Sequence, residues 1–229
     1  MLLSELMQLL DPRKSREFFR RMRPRSFYSN LRYVAILGLF TFVGTFLMYS
    51  VFGLRVSVGA GAFTSTSAVF YPIVGGIWLA AGRYLSAILT PVALGVLVSL
   101  FGVKIGGRQV PMEEAVTISC YAYTPTLIVG LLFAFFPVDM FFIPALGTIY
   151  TAVLLYRAGE VSFKKEKVGV YLIILSIIIS LVIPMILDPI WAVVVGNLAG
   201  PMEPVSQAFV LSGEGGSMAL TDGGIEFFR

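Results

Sequence analysis

Histidine is absent from the 229 residues, and cysteine occurs once, at Cys120. Those two shortages remove the usual zinc ligand sets and any disulfide framework within the chain. Asparagine is limited to Asn30 and Asn197 and glutamine to three positions, a shortage of thermolabile side chains known from thermophile proteins that membrane composition also produces. Charge is scarce as well, with Asp, Glu, Lys and Arg making up 13% of the chain. No glycine loop with lysine that could cradle phosphate and no hydrolase elbow is found. Glu113 and Glu114 are adjacent, and neighbours on a helix point about 100° apart, so they do not converge as an acid and base pair. No enzyme, cofactor or metal site is expected.

What is abundant is apolar. Residues of that kind form 57% of the chain and the mean hydropathy is +0.88, more apolar surface than a soluble domain of this size can hide. The expected fold is an all-α polytopic integral membrane protein. Five segments approach the ~20 apolar residues needed to cross a bilayer, at 33–54, 84–103, 118–136, 140–156 and 168–187. The fourth follows the third after Pro137, Val138 and Asp139, a pattern for a tight helical hairpin. The five spans contain no charged residue; Arg83, Asp139 and Asp188 fall at span ends, where snorkelling is cheap. An ion path through the core is therefore poorly supported. Gly102 to Gly106 and Gly196 to Gly200 have the spacing that permits close helix approach, and Cys120 reads as a small packing residue.

The cations are clustered, which points to a membrane surface rather than nucleic acid. With five crossings and a cytoplasmic amino terminus, fourteen of the seventeen Lys and Arg residues face the cytosol, leaving Arg55, Arg83 and Arg229 outside. A sixth crossing at 68–82 would violate the positive-inside rule, so that stretch is expected to be re-entrant or interfacial. Three regions follow. Residues 1–32 form a cytoplasmic basic amphipathic segment, 33–199 the five-span domain, and 200–229 an external polar, glycine-rich tail, in which 207–212 and 217–221 form a small hairpin or remain unstructured. Residues 1–10 do not read as a cleavable signal peptide, because Glu5 interrupts the apolar stretch and no basic flank precedes it. Within the first region Arg13, Lys14, Arg16, Arg20, Arg21 and Arg23 alternate with Phe18, Phe19 and Met22. This pattern suits a helix in the headgroup plane that contacts anionic lipid, in addition to setting topology.

The third span carries Tyr121-Ala122-Tyr123-Thr124-Pro125. Pro125 removes a backbone donor and is expected to bend the helix, with Thr124 and the tyrosine hydroxyls satisfying freed carbonyls. Tyr121, Tyr123, Thr124 and Pro125 are thus candidates for a packing or partner surface. A basic amino-terminal segment with Phe18-Phe19, five hydrophobic spans, Gly106-Gly107 after the second and this Tyr-Ala-Tyr-Thr-Pro run resemble the Yip1-domain family over roughly residues 12–190. Eukaryotic members are associated with vesicle trafficking and small GTPases, so the resemblance implies a non-enzymatic membrane adaptor. The Asp-Leu-Tyr/Trp-Gly-Pro motif of those members has no counterpart here, which argues against a GTPase partner. Other integral membrane proteins and anionic lipids are the expected partners. An accessory structural subunit of a larger membrane complex and a small-solute carrier are the alternative readings.

Overall fold

A computed structural model describes residues 7–11, 14–52, 54–60, 63–69, 71–132, 142–199, 209–213, 216–221 and 224–228. Arg13, the hairpin at residues 137–139 and the first six residues lie outside the described ones. After a helical turn at 7–10, the helices in chain order are α1 (Ser15–Arg21), α2 (Phe27–Phe46), α3 (Ile73–Gly106), α4 (Met112–Ala122), α5 (Thr124–Leu132), α6 (Phe142–Phe163) and α7 (Glu166–Ala199). Five strands, β1 (Leu54–Ala60), β2 (Phe63–Val69), β3 (Phe209–Gly213), β4 (Gly216–Thr221) and β5 (Gly224–Phe228), form one antiparallel sheet in the order β1-β2-β3-β4-β5. The β2–β3 pairing, with Thr64 opposite Ser212, joins the chain after α2 to the carboxyl-terminal tail. The all-α expectation holds for the membrane part and does not extend to this sheet.

Local chemistry sets the helix ends. The Ser26 hydroxyl caps α2 by accepting from the Ser29 N–H at 3.4 Å, and the helix runs on as a π-helical segment over Leu47–Phe52. Helix α3 stops at Gly107, whose φ of 70° is open to glycine and whose N–H donates to the Val103 carbonyl at 2.9 Å. Pro111 precedes α4, so Glu113 and Glu114 occupy its first turn at the positive end of the helix dipole.

Four helical stretches among the described residues are long and apolar enough to cross a membrane: Phe27–Phe52, Ile73–Lys104, Met112–Leu132 and Lys167–Val194. They make this an integral membrane protein. The span expected at 140–156 lies largely in α6, which is not among the four; its remaining length carries Arg157 and Glu160. Of the two expectations for 68–82, the re-entrant one does not hold and the interfacial one is not decided. Residues 68–69 end β2, and 73–82 are the first turns of α3, which continues through Arg83 without a break. Arg83 divides the hydropathy profile but not the helix, because its side chain reaches the surface and meets Asp188 of α7 at 3.8 Å.

Charges on α3 and α7 give the same thickness independently. Arg83 to Lys104 and Lys167 to Asp188 are each 21 residues apart, or ~32 Å of helix, close to the ~30 Å of a hydrocarbon core. Trp78 and Trp191 pack 5.9 Å apart near the Arg83 level, as an interfacial aromatic belt would. The third span, α4 with α5, is central. Its most apolar window is 72% buried, against 17–39% for the other three spans, and every residue from Ala115 to Pro125 is buried. Helix α2 packs on α3 and α5, α3 on α4 and α7, α6 on α5 and α7, and α1 on α6.

Glycine permits the closest of these contacts. A Cβ on Gly159 would stand 2.7 Å from the Gly169 Cα, and one on Gly95 would stand 2.5 Å from the Val116 Cα, so α6–α7 and α3–α4 touch backbone to backbone. Of the spacings singled out in the sequence, Gly106 faces the Phe163 ring of α6 and Gly102 stands near the Arg108 carbonyl. The surroundings of Gly196, and residue 200, lie outside what is described.

Candidate functional site

The third span is interrupted where the sequence leads one to expect a bend. Between α4 and α5 the helix is interrupted at Tyr123 (φ −80°, ψ −5°), two residues before Pro125, whose missing N–H leaves the Tyr121 carbonyl without its intrahelical donor. The Thr124 hydroxyl donates back to the Cys120 carbonyl at 3.4 Å and shares a 2.8 Å hydrogen bond with the Tyr33 hydroxyl of α2. The Tyr123 hydroxyl leaves its own helix and bonds the hydroxyls of Ser176, at 2.6 Å, and Ser180, at 3.0 Å, on α7. Thr126 and Thr151 join α5 to α6 at 2.8 Å. The bent span is therefore tied to three neighbouring helices by hydroxyl pairs.

Tyr121 sits on the other side of the bend, in an aromatic cluster. Its ring meets Phe18 edge-on at 5.1 Å and Tyr33 at 4.7 Å, and the Arg25 guanidinium lies 5.4 Å from its centroid. This brings the amino-terminal segment into the fold. Leu9 and Phe19 are buried in the common core. Arg16 pairs with Glu160 of α6, Arg157 donates to the Ser15 hydroxyl, and the Tyr150 hydroxyl donates to the Leu10 carbonyl at 2.8 Å. Lying in the membrane plane and folding against α6 use the same amphipathic pattern, and only packing decides how much of the apolar face goes to each.

Above Tyr121 opens a cavity of about 630 Å³ whose lining includes Lys14, Glu17, Arg21, Arg23 and Arg25. Four cations against one carboxylate make it a basic cup with an apolar floor of Phe18, Met22 and Tyr121. Of the six lipid-contact candidates, Lys14, Arg21 and Arg23 line this cup, Arg16 is taken by Glu160, and Arg20 is exposed outside the lining. Of the four bend residues, Tyr121 reaches the cup, Tyr123 faces a different cavity, and Thr124 and Pro125 are buried between helices.

Sequence reading passed over Asn30, which is 1% exposed. Its amide donates to the Thr117 hydroxyl at 2.8 Å and to the Arg25 carbonyl at 3.2 Å, fixing the chain that carries Arg25 over Tyr121. A lone amide at the start of an apolar span was the available signal, because buried polar groups need partners. Hydroxyl pairs at i, i+4 were a second missed signal: Thr41/Thr45, Ser86/Thr90 and Ser176/Ser180 each mark one helix face.

These features define a helical integral membrane protein with a basic segment folded back onto a bent central span. The profile of the Yip1 domain matches residues 7–199, and the chain belongs to the Yip1 domain family. No curated protein and no solved structure matches it.

Proposed function

We propose that this protein is a non-enzymatic membrane-organising adaptor that holds anionic lipid headgroups in its amino-terminal cup and partner proteins through its packed helices. The observation that carries this reading is the convergence of Lys14, Arg21, Arg23 and Arg25 on one cavity floored by Tyr121. Lys14 pairs with Asp11 and Arg21 with Glu17, but the lining still carries four cations against one carboxylate, an excess that a phosphate-bearing headgroup complements, and the apolar floor suits the lipid backbone beneath it. The amino terminus is cytoplasmic in this reading and the tail external, as the cation distribution favours.

The purified full-length protein would be titrated with dioctanoyl phosphatidylserine across a salt series. Affinity should fall as salt rises, and Arg21→Gln with Arg23→Gln should weaken it about 30-fold, from about 1 kcal/mol per cation. Affinity indifferent to both salt and substitution would reduce the segment to a topology signal.

A second reading, an accessory subunit of a larger membrane complex, draws support from the sheet. Its terminal strands β1 and β5 each have one partner within the described residues, and such edges accept further strands. A stoichiometric foreign subunit after purification under native conditions would favour it, and a lone oligomer the adaptor. The small-solute carrier has no comparable support from the described side chains, and saturable flux in liposomes is the result that would revive it.

A further inference from the structure

A second cavity, of about 390 Å³, opens among α2, α3, the bent third span and α7. It differs in kind from the basic cup. Arg83 is the one charged group in its lining, and Thr45, Ser86, Thr90, Tyr123 and Ser180 contribute hydroxyls. The Ser86 hydroxyl has no hydrogen-bond partner among the described residues, although the residue is only 6% exposed. An unpartnered hydroxyl at that depth is costly unless something else occupies the cavity. Thr90 does not relieve it: its hydroxyl donates to the Ser86 backbone carbonyl at 2.7 Å and makes no bond to the Ser86 hydroxyl.

The lining is ordered by depth. Arg83 is half exposed, at the level of Asp188 and near the two tryptophans. Thr90 lies seven residues along α3 and Ser180 eight residues along α7 from that level, ~10–12 Å further into the membrane. Leu127, Ala87 and Gly130 supply apolar wall. A glycerophospholipid in a bilayer shares this order at its polar end, with phosphate at the surface and ester oxygens below it, while Leu127, Ala87 and Gly130 lie alongside the hydroxyls. A charged solute would have no counter-charge beyond the mouth, where burial of charge is expensive.

We propose that this cavity is a binding site for one anionic glycerophospholipid, with its phosphate on Arg83 and its ester oxygens accepting from Ser86 and neighbouring hydroxyls. Asp188 neutralises Arg83 when the site is empty and competes with the phosphate when a lipid arrives. The site is separate from the amino-terminal cup and does not depend on the function proposed above.

Trp78 and Trp191 are the chain's two tryptophans, and Trp191 also abuts Gly82, beside Arg83. The full-length protein would be reconstituted in phosphatidylcholine vesicles with a rising fraction of phosphatidylglycerol brominated on its acyl chains, and tryptophan quenching compared with that from brominated phosphatidylcholine. The expected result is an excess of quenching by phosphatidylglycerol that saturates. Arg83→Gln should weaken the saturable part at least about tenfold and Ser86→Ala about threefold, whereas Asp188→Asn should strengthen it. Should Arg83→Gln not fold, the opposite responses of Ser86→Ala and Asp188→Asn still decide. Equal quenching by the two lipids in the unaltered protein overturns the proposal, as does excess quenching that survives Arg83→Gln. Loss of the excess on adding soluble glycerol phosphate would assign the site to a water-soluble phosphate ester instead. Loss through Arg21→Gln with Arg23→Gln would assign the effect to the amino-terminal cup, and either result overturns this site.

Discussion

Asn30, Tyr123 and Thr124 carry polar groups in the interior of an apolar bundle, and each is held by another side chain. Such bonds inside membranes contribute less than their burial suggests, about 0.6 kcal/mol on average and up to about 1.7. Tyr123→Phe, which removes the bonds of its hydroxyl to Ser176 and Ser180 of α7, is therefore expected to cost about 1 kcal/mol in a denaturant titration in detergent. Asn30→Ala should cost about 1–2 kcal/mol, because it removes two bonds and frees the turn that carries Arg25. Leu181→Ala on the exposed face of α7 serves as the control and should change little. Pro125→Ala restores a donor for the Tyr121 carbonyl, and the expected outcome is a straighter third span with altered stability or partner retention. A Pro125→Ala protein that keeps both but loses a solute flux would move the carrier reading to first place.

Whole helices depend on small residues where two backbones meet. Gly159 and Gly169 bring α6 against α7, and a Cβ on Gly169 would stand 2.7 Å from the Tyr156 carbonyl oxygen. Neither neighbour is a flexible side-chain end, so the helices themselves must separate. Gly159→Leu should accordingly loosen α6 from α7 and lower the detergent melting temperature by several degrees, about 4 °C per kcal/mol for a chain of this size at most. A substitution at Gly107, where φ is 70°, acts through backbone strain, and Gly107→Val is expected to disturb the turn into α4 without separating any pair of spans. Helix α1 behaves differently again. Its Arg21–Glu17 pair is exposed and contributes little, while Phe19 is buried. Phe19→Ala should release the segment to added protease, and Glu17→Gln should not.

Across the molecule, the charge levels on α3 and α7 set where the bilayer sits. Cysteines introduced singly at Arg83 and Lys104 should react with impermeant reagents from opposite sides of a sealed vesicle, since ~32 Å of helix separates them. Position 108 should be reachable from the cytoplasmic side only, given the cations around it. External labelling at 108 would contradict the orientation proposed here. Helices α3 and α7 also continue past the Arg83 level, over 73–82 and 189–199.

Hydropathy alone establishes the membrane class, because no arrangement in water hides this much apolar surface. The run at 121–125 likewise placed the interruption of the third span, since a missing backbone donor acts locally whatever surrounds it. Other features were beyond the linear chain. A window average could not carry α3 through Arg83, because the partner that makes this charge tolerable, Asp188, stands over a hundred residues away. Nor could spacing show that Arg16 is spent on Glu160 while Arg21 and Arg23 turn toward Tyr121, for an amphipathic helix presents the same face to a bilayer and to α6. The convergence of Ser180 of α7 and Tyr123 of the third span on Arg83, Ser86 and Thr90 of α3 is likewise a product of helices meeting. Sequence determines which groups must leave water; only the tertiary packing decides which of them meet.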